Sequence, residues 1–434
     1  MLRGESRKQR RPIVSRDIKW NMSGPGSYWI GEEEKQQVLE VLASGHLSRY
    51  GNLEDPKFTR KVFKLEEEFA RYVGVPYALA TSSGTSALMC CLLALGLKHG
   101  DEVIVPAYTF VATYSAAAFL GLVPILCEID ESLSLDPTDI ERRITPKTRA
   151  IMAVHMLGNP CDMDPIMAIA ARHNLLVIED ACQAAGASYR GRKVGSIGDM
   201  GGFSLNVHKT ITAGDGGLLT ARTETHYRAA FGVHDQGHSP LRAGLEVGRR
   251  SCLGLNFRMN EITGALALAQ LRKIDLIIAA LRKMKSKFKD QIAGIPGMHF
   301  RKLNDPQGEC GTLLTVLFDD PRRAASVAGA LGTKTVDKSG WHVYANMEHV
   351  NQYLKEHGQP HGPGAYPRAD DILSRAINLS VGVVDAGLGA AFGINIKSTD
   401  AEIAAVAQKF RAACDGATKS VPKPTKKKTS KSAK

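Results

Sequence analysis

The sequence predicts an α/β protein, with a mostly parallel β-sheet covered by helices on both faces and a smaller α+β C-terminal domain. Three observations predict it. Short aliphatic or β-branched runs at Tyr77–Ala80, Glu102–Val105, Val123–Ile129, Ala150–Val154 and Leu175–Ile178 read as strands. Helix-compatible stretches separate them: one running to Leu97, then Thr109–Leu120, Pro137–Ile144 and Met163–His173. Alternation of this kind argues for parallel pairing with helical crossovers. The pattern then changes after a long helix-compatible stretch from Asn260 to about Ala293, which Gly294, Pro296 and Gly297 end. Beyond it Met298–Phe300 and Leu313–Phe318 read as strands, Arg322–Leu331 as a helix and Ala401–Cys414 as a final amphipathic helix.

Two helices precede the first strand. Glu32–Leu42 has helical apolar spacing and is stopped by Ser44-Gly45, and Val62–Val73 is amphipathic. These elements divide the chain into an N-terminal basic arm (1–30), a large domain (31–285), a small domain (286–418) and a disordered Lys-rich tail (419–434). The formal net charge of +12 resides in the ends. Residues 1–19 hold seven Lys and Arg against two acids, and residues 419–434 hold seven Lys and no acid, so residues 20–418 are net neutral. The body therefore lacks the charge of a nucleic-acid binder, and nucleic-acid binding is not expected of it. A polyanion-binding scaffold with basic tails is the alternative of another class; it predicts salt-sensitive binding that vanishes with the tails.

Hydrophobic residues at 44% and charged residues at 23% fit an ordinary globular chain and exclude a low-complexity one. None of the eight Cys falls in a C-x-x-C pair, so neither a zinc site nor a thioredoxin-like motif is expected, and no metal is expected. The thiols read as reduced and the protein as cytoplasmic. No apolar signal segment precedes Trp20, and Ala116–Cys127, broken by Gly121 and Pro124, is too short to span a membrane.

Three motifs carry chemistry. Ser82-Ser83-Gly84-Thr85 follows a strand and opens a helix, where free backbone N–H groups and the helix dipole favour a phosphate. It lacks the G-x-x-x-x-G-K pattern of a nucleotide P-loop and is equally a plain N-cap. Glu179-Asp180 ends the run Leu175–Ile178, at the strand edge where such sheets bind ligands. A carboxylate there requires a partner, either a protonated pyridine nitrogen or a neighbouring loop. The third motif runs from Gly202 to Gly217 and places Ser204 and Lys209 in a glycine-rich loop. A confined lysine amine loses hydration, which lowers its pKa and frees it to form a Schiff base. Ser204 is a second candidate for the phosphate of the same ligand.

These motifs, with Gly100–Thr113, Gly191–Gly198 and Gly254–Glu261, resemble the DegT/StrS sugar aminotransferases over roughly residues 30–415. The resemblance implies the aspartate-aminotransferase (type I) fold, a pyridoxal 5'-phosphate (PLP) cofactor bound to the 31–285 domain, and a homodimer. It implies transfer of an amino group from glutamate or glutamine to a keto-sugar. Carried over by position, Lys209 binds the cofactor covalently and shuttles the proton. Asp180 pairs with the ring nitrogen, Phe110 stacks on the ring, and Gly84, Thr85 and Ser204 hold the phosphate. Gln183 lies near the ring hydroxyl, and Asn256, with Arg258, reaches the partner subunit's cofactor.

Within the family, Glu128–Leu135, Val154–Met156, His234–His238, Leu266–Ile278 and Trp341–Tyr344 look most like members that convert an 8-oxo-3-deoxy-octulosonate to the 8-amino sugar of a cell-surface polysaccharide such as lipopolysaccharide. His155, His234, His238, His342 and Arg258 are the candidates for recognising that acidic sugar. A nucleotide-diphosphate keto-sugar is the alternative substrate. A sugar-dehydrating variant of the fold lacks the lysine, often replaced by histidine; Lys209 argues against it here, with His208 beside it.

Overall fold

The structure is a computed structural model and describes residues 24–240 and 250–420. The basic residues 1–23 and the tail from 421 lie outside the described residues.

Seven strands form the central sheet: β1 (Tyr77–Thr81), β2 (Glu102–Pro106), β3 (Val123–Cys127), β4 (Thr148–Val154), β5 (Leu176–Asp180), β8 (Met200–Ser204) and β9 (Gly217–Ala221). A two-residue hairpin, β6 (Ser188–Tyr189) and β7 (Arg192–Lys193), lies apart from it. The order is β1-β9-β8-β5-β4-β2-β3. The pairs from β8 to β3 are parallel, and β9 runs antiparallel to both of its neighbours. The cause lies in the connection. β8 returns to β9 through a loop with no helix, and such a return must be antiparallel. That loop carries Lys209.

Alternation along the strands feeds two cores. Val103, Val105, Met152, Val154 and Ile178 face the Gly84–Ala94, Val111–Phe119 and Glu224–His234 helices. Ile104, Ile151 and Val177 face Pro137–Arg143 and Met163–His173 on the other side. The predicted doubly covered parallel sheet is present. Sequence reading did not identify β8 and β9, whose glycines hide the alternation.

The smaller sheet is antiparallel throughout, in the order β10 (Met298–Phe300), β11 (Leu313–Phe318), β12 (Ala376–Ser380). Its core joins the helices Ile274–Ile292, Pro321–Ala330 and Asp400–Ser420 through Leu281, Val327, Ile377 and Phe410.

Two expectations need correction. The single helix expected over Asn260–Ala293 is two, Glu261–Leu271 and Ile274–Ile292. No Gly or Pro marks the break. Tertiary ion pairs accompany it: Arg272 reaches Glu68 at 2.7 Å, and Lys273 reaches Glu34 at 2.7 Å and the Trp29 carbonyl at 3.3 Å. The first helix packs on Glu32–Ser44 and Lys61–Val73, the second on Asp400–Ser420. The second correction concerns residues 24–30, expected as part of an arm. They form a 3₁₀ turn, Pro25–Trp29, with Pro25 and Gly26 buried. The Gly24 amide donates to the Val207 carbonyl at 3.0 Å. A Cβ on Gly24 would lie 2.2 Å from the His208 carbonyl carbon, so only glycine permits this approach.

All eight Cys are free thiols, and six of them are buried. Among the described residues no helix is long and apolar enough to cross a membrane, and no cluster of His, Cys, Asp or Glu is arranged to hold a metal.

Candidate active site

Because β1, β5 and β8 run in one direction, their carboxyl ends meet at one edge of the sheet. A cavity of about 510 Å³ opens there. Its lining includes Gly84, Thr85, Phe110, Asp180, Gln183, Ser204, Lys209 and His342, residues spread over most of the chain.

One end of the cavity is a helix N-terminus. Ser83 caps the Gly84–Ala94 helix, accepting from the Ser86 amide at 3.0 Å, which leaves other first-turn N–H groups for a ligand. Ser204 stands opposite at the end of β8. A Cβ on Gly84 would lie 2.8 Å from Ser204 Cβ and 2.9 Å from Cys182 Sγ, closer than atoms tolerate. We therefore expect Gly84→Ala to displace Ser204 and weaken retention of a phosphate ligand by roughly tenfold, about 1.4 kcal/mol. Equilibrium titration with inorganic phosphate measures it.

Asp180 ends β5 and is buried. Its Oδ2 accepts from the Thr113 hydroxyl at 2.8 Å and its Oδ1 from the Cys182 amide at 3.1 Å. Gln183 Oε1 accepts from the Leu157 amide at 2.9 Å, which orients the side-chain NH2 as the group left for the cavity. Phe110 precedes the first turn of the Val111–Phe119 helix, and its ring lies 5.3 Å from that of His342.

Lys209 Nζ lies 5.8 Å from the Phe110 ring centre. Burial of its ammonium, only partly offset by Cys182, Asp180 and Asp385, holds the lysine below its ordinary range. His342 is pushed down to about 3 by burial and by Lys209, so its ring is neutral. Its Nδ1 is 3.1 Å from the Ser339 hydroxyl.

Of the five residues expected to recognise substrate, His342 alone lines this cavity. His155 is fully buried elsewhere. The Cys161 amide donates to its Nδ1 at 3.0 Å, so its Nε2–H donates to Glu179 at 3.0 Å. His234 is buried between the Phe231 carbonyl (2.8 Å) and Arg49 (3.1 Å). Burial and the Arg49 charge push it down to about 3. Both rings are consumed by structural bonds and neither can meet a substrate. His238 is buried and lies outside the lining. Arg258 is paired with Asp235 and with Gln236 (3.1 Å), also outside the lining. Asn256 is exposed, beyond the chain's own cavity.

Sequence reading gave no role to Thr113, Cys182, Asn206, Asp215, Thr312 or Asp385, all of which contact the cavity or its acid. Thr113 carries a legible signal, standing one helical turn after Thr109 beside the aromatic. Asp385, far along the chain from Lys209, carries none.

Residues 29–384 match the DegT/DnrJ/EryC1/StrS aminotransferase family. The chain is 40% identical over 351 residues to the GDP-perosamine synthase of Escherichia coli O157:H7, covering 80% of this chain and 90% of that one. It is 32% identical over 360 residues to the spore coat polysaccharide biosynthesis protein SpsC of Bacillus subtilis, covering 81% and 90%. A solved aminotransferase from Psychrobacter cryohalolentis superposes with a TM-score of 0.75 at 28% identity, covering 90% of this chain and 98% of that one.

Proposed function

The chain belongs to the DegT/DnrJ/EryC1/StrS aminotransferase family, and from that premise we propose that it is a pyridoxal-phosphate-dependent aminotransferase acting on a keto-sugar, with Lys209 as the lysine that holds the cofactor. The observation that carries the proposal is the placement of a desolvated lysine amine beside an aromatic face, in a cavity bounded by Asp180 at one side and a helix N-terminus at another. These residues fit the cofactor's chemistry: a phosphate cradle that a Cβ on Gly84 would fill, an acid for a ring nitrogen, and a flat hydrophobic cover.

Pyridoxal phosphate, when bound, supplies an electron sink for the carbon that gains or loses a proton. Gly84, Thr85 and Ser204 would hold its phosphate, with Ser83 as the cap of the same helix. Asp180 would face the ring nitrogen, the Gln183 amide the ring hydroxyl, and Phe110 one face of the ring. Lys209, whose charged form burial disfavours, would move the proton off the amino donor's carbon in one half-reaction and onto the sugar's carbon in the other. His342, neutral and held at Nδ1 by Ser339, would offer its second ring nitrogen to a substrate hydroxyl. Asn256, displayed on the surface, is assigned to the partner subunit's cofactor phosphate, so that the active unit is a homodimer. Mixing Lys209→Ala with Asn256→Ala subunits should then restore activity to hybrids that carry one intact site.

For the substrate, a nucleotide-linked keto-sugar is favoured by the 40% identity to GDP-perosamine synthase. An 8-oxo-octulosonate is the second reading; it rests on the sequence resemblance of Trp341–Tyr344, of which Trp341 and His342 line the cavity, and the neutral His342 would offer its carboxylate a hydrogen bond without a charge. We expect the protein to take up PLP with a visible absorption band and to aminate a keto-sugar at glutamate's expense, detected as product mass. Absence of the band, or of product from every sugar in a panel holding both classes, overturns the assignment.

A further inference from the structure

Thr109 and Thr113 are both fully buried, and their hydroxyl oxygens lie 2.7 Å apart. Thr113 also lies 2.8 Å from Asp180 Oδ2. A carboxylate only accepts, so Thr113 donates to Asp180, and Thr113 must then accept from Thr109. The direction of every proton in this chain of hydroxyls is fixed. The chain continues into the small-domain segment at the mouth of the cavity. The Thr109 amide donates to the His342 carbonyl at 2.9 Å, and the Val111 amide to the Trp341 carbonyl at 2.9 Å. Phe110 lies between these two stitches, against the His342 ring.

We propose that Thr113, primed by Thr109, is a positioning residue that fixes the rotamer and disperses the charge of Asp180, and so tunes the carboxylate's grip on the ring nitrogen of the bound cofactor. Each Asp180 oxygen spends one lone pair on the protein, Oδ2 on Thr113 and Oδ1 on the Cys182 amide, and the remaining acceptor capacity is turned to the cavity. A hydroxyl relay inside a low-dielectric site acts on its acceptor more strongly than in water. The same two residues tie Asp180 to the turn that carries Trp341 and His342, so the carboxylate and that turn are held as one piece.

This inference rests on the functional reading above, and its test separates the two. The holoenzyme, reconstituted with pyridoxal phosphate, is titrated from acid to alkaline pH while its visible band is followed. The other ionisable groups around Lys209 and Asp180, namely Cys182, Cys91, His208, Asp215, Asp385 and His342, are untouched by the substitutions. We expect Thr113→Val to move the midpoint by about one pH unit, the size of a single hydrogen bond to a charged group. Thr113→Ser should restore it, and Thr109→Val should move it the same way by less. A wild-type protein with no band overturns the functional reading. A wild-type band with an unmoved Thr113→Val midpoint overturns the relay alone. If Thr113→Val does not accumulate folded, Thr109→Val decides: it leaves the Thr113–Asp180 contact and removes only its donor, and an unmoved midpoint there overturns the proposal.

Discussion

Lys209→Ala should lower the rate of amino transfer by more than about a thousandfold, because on the proposed reading it removes both the nucleophile and the proton carrier at once. The protein should still fold and bind PLP through its phosphate, yet borohydride should trap no cofactor on the chain, as read by intact mass. Lys209→Arg should fail equally, since a guanidinium stays protonated and neither attacks a carbonyl nor accepts a proton. A Lys209→Ala enzyme with near wild-type turnover would remove the lysine from the mechanism. His208, which also lines the cavity, provides the control: His208→Ala should retain the trapped adduct.

The largest effect on stability should come from Glu179→Ala, one residue before Asp180. Glu179 is fully buried, and its two oxygens accept from His155 at 3.0 Å and from the amides of Gly195, Ile197 and Gly198 at 2.6–2.8 Å. Burial opposes the carboxylate, but these donors outweigh it and hold the group below the ordinary glutamate range. Its stabilisation is therefore complete above that range and is lost as pH falls through the lowered value. Truncation leaves four donors without an acceptor, and a cost of about 3–5 kcal/mol is expected. Urea midpoints of the holoenzyme measure it. Glu141→Ala is the comparison. Its pairing with Arg172 lies at the surface, with both side chains about half exposed, so solvent screens it and the urea midpoint should barely move.

Much of the site was legible because its chemistry sits where the chain changes structure. Ser83–Thr85, Asp180 and Ser204 each mark the end of a strand, and a parallel sheet gathers such ends on one edge. Lys209 was legible through its glycine-rich surroundings. Apart from His342, the histidines were not, because the same residue serves as ligand or as structure according to what packs on it. His155 meets Glu179, and His234 meets Arg49, only after distant segments come together. The helix break at Arg272-Lys273 was hidden for a similar reason: its partners, Glu68 and Glu34, lie some two hundred residues earlier. Strands β8 and β9 escaped notice because glycine, the residue that lets loop and helix crowd the cavity, also erases the alternation that announces a strand.

The turn at Pro25–Trp29 bears on how this protein should be handled. Gly24 is bonded to Val207, and Pro25 lies in contact range of where a side chain on Gly382 would project. A shortened version starting at residue 31, natural to choose from the basic composition of the first residues, would strip away a strap that crosses the back of the Lys209 loop. Any trimming for expression or crystal growth belongs upstream of Gly24, and a protease that nicks between Gly24 and Ile30 should be slowed when a ligand fills the cavity beside Lys209.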